Sequence, residues 1–120
     1  HGITVEAVPA YNIEHMRGGG QPYHPKGEGN GYIVTVGDTR VYIAGDTEDI
    51  PEMDALEDID IAFLPVNLPY TMTPEMVAEA VRMFHPKILY PYHYGNTEVS
   101  KLIDLLKGEP NLDIRVRHLQ

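Results

Sequence analysis

The 120-residue sequence contains no cysteine and no tryptophan. Without thiols there is no disulfide framework and no thiolate metal site. Basic residues are scarce: nine Lys and Arg stand against 18 Asp and Glu, for a formal net charge of −9. Binding a duplex requires clustered cations that displace counterions, so this balance argues against nucleic acid as a partner. The same deficit disfavours an anionic membrane surface. No apolar run approaches the ~20 residues that cross a bilayer, and no secretory leader is visible. The lack of Cys fits a cytoplasmic protein. An initiator Met is also missing, and the chain opens directly on the strand-like Ile3-Thr4-Val5-Glu6-Ala7-Val8. The expectation is a segment that continues from something upstream.

What is present is a single domain's worth of chain, with 42% hydrophobic residues and a modest core. Residues 3–10 read as a strand stopped by Pro9, and residues 11–31, with Gly18-Gly19-Gly20, as a long loop. Tyr32–Val36 and Thr39–Ala44, joined by Gly37-Asp38, form a hairpin. The acidic stretch Glu48–Asp60 reads as a solvated surface with one helical turn near Pro51. Asp60–Pro65 is a buried strand. Thr73-Pro74-Glu75 opens a helix that Pro86 stops. Ile88-Leu89-Tyr90 is a further strand, a second helix follows from near Thr97 to Gly108, and Ile114–Arg117 closes the chain as a strand. Strands alternating with helices imply α/β layering.

Two stretches lie just past the ends of buried strands, where α/β proteins place ligand sites. They are Gly45-Asp46-Thr47 and Pro91-Tyr92-His93-Tyr94-Gly95. A carboxylate and an imidazole at neighbouring strand ends suit zinc, iron or manganese. Each also has a structural alternative: Asp46 as a cap for the turn at 48–53, and His93 as a histidine that holds a turn. His85, before Pro86 at a helix end, is read as structural.

The ordered set of a strand ending in G-D-T, the apolar Ile61-Ala62-Phe63-Leu64-Pro65, and P-x-H-x-G after a helix resembles the C-terminal half of metallo-β-lactamase superfamily hydrolases. It looks nearest to the ascorbate-6-phosphate lactonase-like branch. The resemblance implies an α/β fold, one half of an αββα sandwich with a mixed sheet and helices on one face, so that residues 1–120 form a single partial domain. It implies a site for one or two divalent ions, zinc foremost, with Asp46 as the bridging carboxylate that touches both and His93 as a ligand of one. A metal-held hydroxide then attacks an ester, lactone, amide or phosphodiester bond. The family signature H-x-H-x-D-H is absent from this sequence. Asn12 stands where a further family histidine is expected, and His24 is the candidate to replace it, with His15 behind. Tyr70, Tyr94 and Lys26 are the expected contacts of a small-molecule substrate.

With two or three ligands, the isolated chain is expected to be inactive and the complete protein to be an enzyme. The alternative is a non-catalytic half-domain. Its bare sheet face would be covered by the missing N-terminal half or by a second copy of the chain.

Overall fold

Runs rich in β-branched and aromatic residues build a six-stranded sheet, and a computed structural model of the chain describes residues 2–17, 20–68, 70–93, 99–117 and 119. The strands are β1 (Ile3–Ala10), β2 (Met16–Arg17), β3 (Gln21–Pro22), β4 (Gly29–Val36), β5 (Thr39–Ile43), β6 (Ile61–Pro65), β7 (Ile88–Tyr92) and β8 (Asp113–Ile114). A 3-10 helix spans Pro51–Ala55, with helices α1 (Pro74–Phe84) and α2 (Val99–Leu105). The main sheet runs β1-β4-β5-β6-β7-β8, and β2 and β3 form a separate pair. The first three strands pair antiparallel and the rest parallel. The mixed sheet with helices on one face is the expected architecture.

Ile33, Tyr42, Ala62, Leu64 and Leu89 point to the helix-covered face and are almost completely buried. Val77, Ala80, Val81 and Phe84 of α1, Met53 of the 3-10 helix and Leu102 of α2 share the same core. The Phe84 ring meets Tyr42 edge-on at 5.5 Å. Thr73 caps α1 by accepting the Met76 N–H at 3.1 Å, and His85 ends it in the left-handed region at φ 48°.

The opposite face is also apolar. Strand register aligns Val5, Val34, Val41, Ile61 and Ile88 in one row, and Ala7, Tyr32, Ile43, Phe63 and Tyr90 in the next. Phe63 and Tyr90 stack at 4.9 Å. Ile3 and Val5 at the β1 edge are 68% and 61% exposed.

β1 has the expected bounds, Ile3–Ala10, although Pro9 lies inside the strand and does not stop it, and two further expectations are corrected. An edge strand tolerates a missing N–H on its open side. The loop at 11–31 is not free of structure: Met16 pairs with Pro22, Arg17 with Gln21, and β4 begins already at Gly29 against Ala10. The last strand is shorter than Ile114–Arg117. Leu89 O accepts the Arg115 N–H at 2.9 Å, so Leu89 faces β8. Two residues on, Pro91 faces the same way and has no N–H to continue the ladder.

Candidate metal centre

Strand direction gathers the site. The ends of β1, β5, β6 and β7 and the start of β4 lie along one edge of the sheet. Two glycines set the position of Asp46. A Cβ on Gly31 would lie 2.6 Å from Ala44 O, and one on Gly45, at φ 74°, 2.7 Å from Asn30 O. Only bare backbone permits this approach of the β4 start to the β5 exit. The Thr47 hydroxyl then locks the exit to β1, accepting the Tyr11 N–H at 3.1 Å and standing 3.2 Å from Tyr11 O. Asp46 is left 54% exposed. It does not cap the following turn, because the 3-10 helix has Ile50 at its N-cap and no side-chain cap.

His24 reaches the same place from the loop between β3 and β4. Its Nε2 lies 3.5 Å from Asp46 Oδ2. Its Nδ1 lies 2.9 Å from Asn12 Oδ1 and 3.1 Å from Tyr70 O. Asn12 is buried, and its Nδ2 donates to Tyr70 O at 2.9 Å and to Glu48 Oε2 at 3.2 Å.

Glu48 corrects the reading of residues 48–60 as a solvated acidic surface, since it is only 1% exposed. Its carboxylate accepts the N–H groups of Ile13, Glu14 and His15 at 2.9, 2.8 and 2.7 Å. Burial raises its pKa, but these donors and the Asn12 amide outweigh burial and hold it below the usual carboxylate range. Ile50, Met53 and Ile59 of the same stretch are buried as well. His15 faces Glu48, with Nδ1 at 3.1 Å from Oε2.

His93 follows β7, exposed and in the left-handed region at φ 53°, its N–H donated to Leu119 O at 2.6 Å. The neighbouring Tyr92 hydroxyl accepts the Gly45 N–H at 3.1 Å, so the β7 end reaches across β6 to the β5 exit. Burial foremost, with the Asp46 charge adding, raises the Tyr92 pKa against the pull of that hydrogen bond. Tyr94 and Gly95 lie outside the described residues. Tyr70 is exposed and meets Tyr23 edge-on at 5.0 Å. Tyr23, His24, Asn30 and Asp46 line a cleft of about 360 Å³. Lys26 turns elsewhere, with Nζ 3.4 Å from Glu52 and 5.2 Å from the Tyr11 ring centre.

The donor set fits a metal in part. Two donor atoms about 2.1 Å from one ion, at a tetrahedral angle, stand about 3.4 Å apart. The 3.5 Å separation of His24 Nε2 and Asp46 Oδ2 agrees with that. Among the described residues, no three His, Cys, Asp or Glu side chains come together to hold an ion by themselves. Nor is any helix among them long and apolar enough to cross a membrane.

The family described as Beta-lactamase superfamily domain matches residues 1–93. A UPF0173 metal-dependent hydrolase of Nanoarchaeum equitans is 31% identical over 103 residues, covering 83% of this chain and 47% of the relative. One of Symbiobacterium thermophilum is 38% identical over 79 residues, 61% of this chain and 35% of the relative. Among solved structures, a Parabacteroides distasonis protein assigned to the metal-dependent hydrolases superposes with a TM-score of 0.90 at 59% identity, over 98% of this chain and 52% of that one. Igni18, a metallo hydrolase from Ignicoccus hospitalis, shares the fold with a TM-score of 0.75 at 23% identity, over 98% of this chain and 51% of its own. The chain spans about half the length of these relatives or less.

Proposed function

The chain belongs to the Beta-lactamase superfamily domain family, and from that membership we propose that the whole protein is a metal-dependent hydrolase to which this chain contributes Asp46, His24 and His93. The observation that carries this reading is the 3.5 Å approach of His24 to Asp46 at the edge where the β5 and β7 ends emerge. A divalent ion, zinc foremost, supplies Lewis acidity and lowers the pKa of water. Asp46 supplies a carboxylate there, and His24 and His93 supply imidazole nitrogens. The remaining ligands come from outside this chain. A small-molecule ester, lactone, amide or phosphodiester enters the cleft past Tyr23 and Tyr70. Lactones are the first substrates to test, given the resemblance to lactonase-like proteins. Lys26 joins substrate binding by leaving Glu52, and an exposed ion pair of this kind is worth only ~0–1 kcal/mol. The cytoplasm is the compartment that suits this reading.

The test compares the whole protein with its Asp46→Asn variant, measuring bound zinc and hydrolysis of a panel of lactones, esters and phosphodiesters. The expected result is loss of bound metal and a fall in activity of about a hundredfold or more, with unchanged circular dichroism. Full activity after metal removal would overturn the proposal.

A second reading, association without catalysis, is favoured by the apolar rows on the uncovered sheet face. Its occupant is the missing N-terminal half or a second copy of the chain.

A further inference from the structure

The contacts that Asn12 and Tyr70 make with His24 decide where the ring carries its proton. Asn12 Nδ2 faces two acceptors, the Glu48 carboxylate at 3.2 Å and Tyr70 O at 2.9 Å, so this end of the amide is the NH2 group. The other end, Oδ1, accepts the His24 backbone N–H. Oδ1 also lies 2.9 Å from His24 Nδ1, whose second neighbour is Tyr70 O at 3.1 Å. Two acceptors face Nδ1 and neither can donate, so Nδ1 must carry the hydrogen. In the neutral ring, Nε2 is then a bare lone pair, and it is the atom 3.5 Å from Asp46. The anchor of this series is Glu48, fixed by three consecutive backbone N–H groups. Sequence alone reads Asn12 as a lost ligand and Glu48 as surface.

We propose that Glu48 and Asn12 are positioning residues: they orient the Asn12 amide so that His24 holds its proton on Nδ1 and presents Nε2 as a ligand atom beside Asp46. This inference rests on the hydrolase reading for its purpose, but not for its geometry. Hydrogen bonds to the far nitrogen of a ligating histidine fix its tautomer and raise its basicity, and removing them costs roughly 10–100-fold in metal affinity.

The test uses the whole protein, stripped of metal and carrying nitrogen-labelled histidine rings, at about pH 8, above the ordinary histidine range. Ring nitrogen chemical shifts report the tautomer directly. The expected result is His24 with its proton on Nδ1, the tautomer that free histidine in water favours less. In Asn12→Ala the Nδ1 proton population falls, and direct zinc titration shows affinity lower by roughly 10–100-fold. A ring proton on Nε2 in the unsubstituted protein overturns the proposal, as does an Asn12→Ala variant with unchanged tautomer or unchanged zinc affinity. The unsubstituted measurement needs no variant, so misfolding of Asn12→Ala cannot hide the answer. Absence of hydrolysis would overturn the hydrolase reading and leave the tautomer standing.

Discussion

Glu48 and Asp49 are adjacent in sequence and carry opposite perturbations. Glu48 is surrounded by N–H donors, whereas Asp49 is half-buried among carboxylates. Burial first, and then the charges of Glu14, Glu48 and Glu79, raise the Asp49 pKa to about 6 against its own backbone hydrogen bond. The sign follows from proton binding. Between about pH 4, where an unfolded Asp titrates, and about pH 6, the folded chain holds more protons than the unfolded one. Stability therefore falls as pH rises through that window, and the penalty is complete above it. Asp49→Asn is expected to stabilise the chain by about 1–2 kcal/mol at pH 7 and by almost nothing below about pH 4. Urea midpoints at both pH values check this, and an equal gain at both refutes the assignment. Glu48 has the opposite sign: its contribution is present above the unfolded pKa and is lost as pH falls through its lowered folded value. At this scale little was legible. Glu48 and Asp49 look alike in a run of acids, and only the neighbours brought by the fold separate them.

At the scale of elements, the site depends on the junction of β4 with the β5 exit. Gly45 combines a positive φ of 74° with an approach so close that an added Cβ would stand 2.7 Å from Asn30 O. Gly45→Ala is expected to cost about 2–4 kcal/mol, from left-handed strain and from displacing backbone. Denaturant unfolding reads the loss, and a cost below about 0.5 kcal/mol would show that the junction is slack. Elements were the most legible level. The hairpin, the β6 run and the capped helix α1 follow from local chemistry: Gly-Asp at the turn, a continuous apolar run, and Thr-Pro-Glu at a helix start. The elements misjudged depend on partners distant in sequence, as with the β2–β3 pair and the end of β8 at Pro91.

For the whole molecule, the open sheet face decides solution behaviour. Rows led by Val5 and Ala7 cross five strands, and Ile3, Tyr32, Val36 and Ile43 are exposed among them or beside them. The 120-residue chain studied alone is expected to gain mass with concentration in light scattering, and Val5→Lys to reduce that gain. A monodisperse monomer at high concentration would refute association through this face. Were a further segment or a second chain to cover this face in the whole protein, as proposed, the same substitution is expected to be destabilising instead.

Periodicity and caps are local, so they were enough for the layering and for the strand ends that carry Asp46 and His93, and the short motifs there carried the resemblance to the family. The lack of cysteine likewise shows from the chain alone that it supplies no thiolate to any metal site. That His24 stands beside Asp46, while His15 turns to Glu48 and Lys26 to Glu52, emerges only in the folded chain. Those choices depend on where a loop of about twenty residues is pinned. The pins are a buried carboxylate, a buried amide and a Thr hydroxyl, whose long-range partners lie 33 to 58 positions away along the chain.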